Sequence, residues 1–288
     1  MTEPKYPIYI PSKGRADVCM TADALNKDAV PFRLVVESQE RAAYAARYGE
    51  DCILVLPFCD RGLFMARRWI MEHSIAEGHA RHWQLDDNMA GWVRMYRGKK
   101  IPVDAGIALR VVEDFSDRYE NVAIAGHNYR FFHASAIPPF FRNVHVYSST
   151  LINNEIPYRW RTLYNDDTDM CLQALAGGWC TILVNAFLVN KKRTMTVKGG
   201  NTDELYQDDG RLRMARSLER LWPHVVTTTR KYGRPQHHIH DSWRRFDTPL
   251  ILRSDVQLEE QPNEYGMTLV QKSEIKSAHL RDLVGDRL

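Results

Sequence analysis

The triplet Asp86-Asp87-Asn88 sets two carboxylates and an amide directly after the run His82-Trp-Gln-Leu85. Paired carboxylates at the end of a buried strand make a hard oxygen site for Mg²⁺ or Mn²⁺. An ion held there would neutralise the charge that develops on a departing diphosphate. The competing reading is a solvated loop, since Asp and Asn also favour turns. A second acidic cluster, Asp166-Asp167-Thr168-Asp169, opens a helical stretch that Gly177-Gly178 ends. Acids at a helix start complement its dipole, which accounts for at least one of these three. Another would deprotonate an acceptor hydroxyl, its proton affinity raised by like-charged neighbours. Asp167 is the choice for that base and Asp166 the alternative. In His237-His238-Ile239-His240-Asp241, His238 and His240 share one side of a strand and become candidate metal ligands beside Asp86, Asp87 and Asn88. In the alternative reading one histidine binds the diphosphate while the others face solvent.

These groups need a scaffold. Tyr6-Pro-Ile-Tyr-Ile-Pro11 reads as a buried strand that runs into the polar turn Ser12-Lys-Gly-Arg15. Exposed backbone N–H groups and two cations there suit a phosphate or a nucleotide base, although the spacing is not that of a Walker loop. Phe32 to Glu37 and Cys52 to Pro57 read as further strands, with helices over Val18 to Lys27, Glu40 to Tyr48 and Gly62 to Gly78. Strand and helix alternate, and the strands are apolar runs, so a mostly parallel sheet covered on both faces is expected. Ligands of such sheets lie beyond the carboxyl ends of the strands, where Ser12 to Arg15, Glu37 and Asp86 to Asn88 all fall. The expected donor-binding set is Pro11, Ser12, Lys13, Gly14, Arg15, Glu37, Arg67 on the long helix, Asp86 and Lys198. Further along, a helix is expected over Val103 to Tyr119, and strands over Val122 to Gly126, Val144 to Ser148, Leu151 to Ile152 and Trp179 to Leu188.

Charge is unevenly placed. Residues 1–190 balance to −1, residues 191–253 carry +7 and residues 254–288 carry −3, within a formal net charge of +3. The basic segment interleaves aromatic residues, as in Arg230-Lys-Tyr-Gly-Arg234 and Trp243-Arg-Arg-Phe246. That pattern suits a polyanion, with a solvated basic face as the alternative. The five cysteines are scattered without a C-x-x-C pair, which argues against a zinc cluster or disulfide framework. No apolar run is long enough to span a bilayer and no signal-peptide pattern opens the chain, so a cytoplasmic location is expected.

With these segments assembled, the chain resembles the GT-A glycosyltransferases and, more narrowly, the TET-associated glycosyltransferases encoded by bacteriophages. The resemblance rests on Ile8-Tyr-Ile-Pro-Ser-Lys-Gly-Arg15, Val35-Val-Glu37, Leu56-Pro57 with Gly62, His82-Trp-Gln-Leu-Asp-Asp-Asn88 and Asn165-Asp-Asp-Thr-Asp169. It implies a Rossmann-like GT-A core, a UDP-sugar donor and a divalent metal, with Asn88 standing where the metal motif usually has its second acid. Asp166-Asp167 matches the acidic pair that supplies the base in inverting members. The implied acceptor is a hydroxymethylated pyrimidine, such as hydroxymethylcytosine, in double-stranded DNA. The expected organisation is a catalytic core over 1–190, a basic, His-rich segment over 191–253 that completes the site and contacts the acceptor, and a peripheral acidic tail over 254–288. Competing readings are a glycosyltransferase with a non-DNA acceptor, a sugar-1-phosphate nucleotidyltransferase and a non-catalytic DNA-binding module.

Overall fold

A computed structural model of the protein describes residues 3–132, 138–192, 210–231, 233–240, 246–258 and 261–267. Short runs of branched and aromatic residues form β1 (Ile8–Pro11), β2 (Arg33–Val36), β3 (Ile53–Val55) and β4 (Arg81–Leu85). Helices α1 (Met20–Lys27), α2 (Arg41–Tyr48) and α3 (Leu63–Ala76) connect them. There follow β5 (Met89–Tyr96), β6 (Lys99–Val103), α4 (Ala105–Ser116), β7 (Val122–Tyr129), β8 (Phe140–Arg142), β9 (Ser149–Asn153), α5 (Asp166–Ala176) and β10 (Cys180–Lys191). The basic segment supplies α6 (Gly210–Leu221) and the hairpin β11 (Val226–Lys231) and β12 (Arg234–Ile239).

Ten strands form one sheet in the order β3-β2-β1-β4-β9-β7-β10-β5-β6, with β8 also paired to β10. β1 to β4 run parallel to one another, and β9 reverses between β4 and β7. β10 then lies parallel to β7. The expected α/β class, a mostly parallel sheet flanked by helices, is therefore the one observed. All the parallel carboxyl ends fall on one rim. Because β9 is reversed, its start at Ser149 reaches the same rim.

Strand side chains alternate between the two faces, as the pleat requires. Ile8, Ile10, Leu34, Val36, Trp83 and Leu85 pack with Ala22 and Leu25 of α1, Tyr44 of α2 and Leu109 of α4. Tyr9 and Val35 face the opposite way, onto Ala66 and Ile70 of α3. Farther along that second face, Ile124 and Ile152 meet Met170 and Ala174 of α5. Each face is thus covered by helices, which explains why the strands read as apolar runs.

Several segments differ from the sequence expectation. Val144 to Ser148 forms no strand, because Asn143 and Ser148 take positive φ values of 58° and 63° and bend the chain out of the pleat. The unforeseen hairpin β5–β6 turns at Arg97 and Gly98, both at positive φ, a conformation that suits a tight hairpin. In the expected peripheral tail, Tyr265 is buried and donates its hydroxyl proton to Asp114 Oδ2 at 2.8 Å. Among the described residues, no helix is long and apolar enough to cross a membrane.

The β7–β9 pair depends on one glycine. A Cβ at Gly126 would stand 2.0 Å from the Ser149 carbonyl oxygen and 2.7 Å from a methyl of Val146. Gly126→Ala is therefore expected to cost about 1–3 kcal/mol, the range for overpacking a core. Denaturant unfolding of the variant checks this, and an unchanged midpoint would contradict the close approach.

Candidate active site

The rim gathers side chains from strand ends that are distant in sequence. Asp86 follows β4 directly, and its backbone N–H donates to the Ser148 carbonyl at 2.8 Å. Arg67, on α3, donates through one terminal nitrogen to Asp86 Oδ1 at 2.8 Å and through the other to Asp166 Oδ2 at 3.1 Å. Lys191, the last residue of β10, donates to Asp86 Oδ2 at 2.5 Å and to Ser148 Oγ at 2.6 Å. It also reaches the Tyr129 hydroxyl at 3.3 Å. Both cations are almost fully buried, and the Arg67 guanidinium lies 4.9 Å from the Trp160 ring centroid. Burial would raise the Asp86 pKa, but Lys191 and Arg67 outweigh it and hold the carboxyl below its ordinary range.

Asp87 has a different task. Its oxygens accept from Ser12 Oγ at 2.8 Å and from the Arg15 guanidinium. Ser12 Oγ also contacts the Tyr44 hydroxyl at 2.7 Å, and that hydroxyl accepts from Arg15 N at 3.0 Å. Asp87 thus fixes the turn after β1 onto β4. Burial raises its pKa, and Arg15 opposes that only in part. In the same turn Gly14 N donates to Glu40 Oε1 at 2.6 Å, while Lys13 pairs with Glu37 Oε2 at 3.1 Å and with Asp60. Glu37, buried at the end of β2, accepts from Asp60 N at 2.8 Å. Pro11 through Arg15, Glu37, Arg67 and Asp86 therefore sit on one rim. Lys198 lies outside the described residues.

The second acidic cluster divides its labour. Asp169 is the structural member: Arg161 donates to both of its oxygens at 2.9 Å, and Trp222 Nε1 donates to it at 2.7 Å. Asp166 faces Arg67. Burial pushes its carboxyl up to about 6, opposed by Arg67 and reinforced by Asp167 and Asp86. Asp167 faces His145 Nε2 at 3.3 Å and accepts from Thr168 N at 2.7 Å. Burial would raise its pKa, but His145 and then Arg67 hold it well below the ordinary carboxylate range, the reverse of the raised proton affinity expected from its acidic neighbours.

Of the histidine run, the residue that turns toward this cluster is His237. It lines a cavity of about 470 Å³ together with Asn165, Arg211, Lys231 and Arg234. Burial, and next the charge of His145, lowers its pKa. His238 and His240 alternate to the other side of β12, where both are exposed and their rings meet edge to face at 5.5 Å. Asp241 and Trp243 lie outside the described residues. Lys191, Ser148, Tyr129 and His145 were not singled out from sequence. The one local signal was a cation at the end of an apolar strand, at Lys191.

A resident divalent ion needs several oxygen or nitrogen ligands turned toward one point. The triplet does not offer them as arranged. Cations hold both oxygens of Asp86, Arg15 and Ser12 hold those of Asp87, and His238 and His240 are turned away. Asn88 Oδ1 is the one buried oxygen of the triplet without a partner. Among the described residues, no group of three or more His, Cys, Asp or Glu side chains is placed to hold a metal. Of the five residues expected as metal ligands, Asp86 and Asp87 are paired with cations, Asn88 stands beside them with its side-chain oxygen unpartnered, and His238 and His240 form a separate, solvent-facing pair.

A model of the TET-Associated Glycosyltransferase family matches residues 6–200, more than half of the chain. Among solved structures, a Desulfovibrio desulfuricans G20 protein described as a nucleotide-diphospho-sugar transferase superposes with a TM-score of 0.39 at 9% identity. The superposition covers 76% of this chain and 98% of that one, a likeness too remote to bear on the reaction. No curated protein matches the chain.

Mn²⁺ titrated into the protein alone is expected to give no saturable heat, since Lys191 and Arg67 already neutralise Asp86. Stoichiometric binding at micromolar concentration would contradict that reading of the triplet.

Proposed function

The chain belongs to the TET-associated glycosyltransferase family and is a glycosyltransferase, and from that premise we propose that it moves a hexose from a UDP-sugar to the 5-hydroxymethyl group of a pyrimidine in DNA. Membership displaces the nucleotidyltransferase and non-catalytic readings. The observation that carries the proposal is the pairing of two acidic groups through Arg67: Asp86, whose neighbour Asp87 holds the β1 turn, and Asp166, whose neighbour Asn165 lines the basic cavity.

The donor lies along the turn Pro11 to Arg15, with Glu37 and Lys13 at its outer end. Its diphosphate sits against the end of β4. Lys191 and Arg67 supply positive charge there, in a setting where burial makes each charge count for more than in water. The expected Mn²⁺ or Mg²⁺ is not carried into this proposal, because the carboxylates meant to hold it are already paired. In a direct displacement the acceptor oxygen bonds to the anomeric carbon as the bond from that carbon to the phosphate oxygen breaks. UDP leaves with the electron pair, and the hydroxyl proton passes to a carboxylate. Asp167 is the base. It is charged at neutral pH, held so by His145 beside it, and accepting the hydroxyl proton makes it neutral. Asp166 answers to Arg67 and orients that side chain between the two carboxylate groups.

A polyanionic acceptor fits the other side of the site. Arg211, Lys231 and Arg234 line the cavity that ends at His237, and α6 exposes Arg213, Arg216 and Arg220. Cations in such a pocket would hold phosphates and fix the strand without reading sequence.

Nucleoside mass spectrometry tests the proposal after the wild-type protein is incubated with hydroxymethylated DNA and a panel of UDP-sugars. A hexose-sized mass gain on the modified pyrimidine is expected. Asp167→Asn should lower the rate about 10²- to 10⁴-fold, the range for loss of a general base, while UDP-sugar affinity is kept. A larger loss in Asp166→Asn would move the base to that residue, and no gain with any donor would refute the acceptor.

A further inference from the structure

The segment just past β7 carries two phenylalanines that the reaction as described does not use. Phe131 is 47% exposed, and Phe132 at 62% is the most exposed large apolar residue among those described. Single exposed apolar side chains are ordinary on a protein surface. Here two adjacent phenyl rings touch, with centroids 4.4 Å apart, and both rest on Tyr129 at 5.0 and 5.5 Å.

The pair is anchored at the reacting centre. Tyr129 holds Lys191 and Ser148 through its hydroxyl, at 3.3 and 2.5 Å. Its ring meets Tyr147 at 4.4 Å, and Tyr147 meets His145 at 5.0 Å. His145 in turn faces Asp167. A continuous aromatic surface therefore runs from the cation pair at Asp86 to the carboxylate that receives the proton. It lies beyond β4 from the β1 and β2 ends, since the sheet order is β2-β1-β4-β9-β7.

We propose that Phe131 and Phe132, backed by Tyr129, form a stacking platform for an unpaired pyrimidine, so that the acceptor base is engaged outside the helical stack. The inference rests on the DNA-acceptor reading and deepens it. A neutral, apolar platform suits the π-face of a base. The charged backbone then falls to Arg211, Lys231 and Arg234, which line the cavity with His237. A base inside a duplex shows a groove only its edge, with both faces covered by neighbours. It must leave the stack to meet an aromatic surface, as enzymes that work on bases require.

Fluorescence anisotropy with a single-stranded oligonucleotide carrying one 5-hydroxymethylcytosine, read beside sugar transfer to the same strand, tests the platform in the full chain. Phe132→Ala should weaken oligonucleotide affinity about five- to a hundred-fold, the range for losing one stacked base, and Phe132→Tyr should restore it. In a duplex, 2-aminopurine beside the target should brighten when the wild type binds. Equal oligonucleotide affinity in Phe132→Ala would overturn the platform, as would a loss confined to UDP-sugar affinity. Transfer that persists with unaltered affinity fails the platform and keeps the acceptor reading. Weakened binding without any transfer by the wild type fails the acceptor reading and keeps the platform.

Discussion

A half-buried carboxylate, Asp86, held between the two almost fully buried cations Arg67 and Lys191, fixes the geometry of the rim. Charges taken out of water are costly unless paired and hydrogen-bonded. Asp86 meets that condition with Arg67 from α3 and Lys191 from β10, and its backbone is tied to Ser148 at the start of β9. Four elements are thereby brought to one point. Removing Asp86 would leave the two buried cations short of their counter-charge, a costly state for groups taken out of water. Arg67 extends the cluster by a second arm to Asp166, so the positions of the two acidic groups are set by a single guanidinium. Asp87 continues the cluster in the other direction through Arg15 and Ser12.

This arrangement gives the two acidic groups different electrostatic characters from the same residue type. Asp86 and Asp167 are held charged by adjacent cationic or imidazole groups. Asp87 and Asp166 are pushed toward neutrality by burial. Carboxyls with pKa values driven apart by their surroundings can divide the work of a reaction, one kept ionised to take a proton and another positioning a cation. The rim has two sides: a turn tied to β1 and β2 on one, and aromatic and basic surfaces from β7, α6 and β12 on the other.

Much of the scaffold was legible in the sequence because local patterns decide it. Apolar runs marked β1, β2, β3 and β4, and the polar residues at their ends were correctly expected on one rim. At least one acid of the second cluster was expected to cap its helix; Asp169 is instead held by Arg161 and Trp222, partners that the local sequence does not announce. What stayed hidden depends on long-range contacts. Lys191 meets Asp86 across 105 positions, and no local feature announces that pairing. His145 stands in a stretch that reads as a strand but is bent by Asn143 and Ser148. In the His237 to His240 run, alternation correctly put His238 and His240 on one side. Which side faces the site was set by how the β11–β12 hairpin packs on α6, with His237 turned inward.

In the proposed reaction the cation-paired end of β4 holds the donor diphosphate. Calorimetric titration of UDP into the wild type and into Lys191→Met, with folding of both checked by circular dichroism, reads that placement. The wild type should bind UDP, and the folded variant should bind at least about tenfold more weakly, as expected for loss of a charged hydrogen bond. Equal affinity in the two proteins would place the diphosphate elsewhere and contradict this role of Lys191.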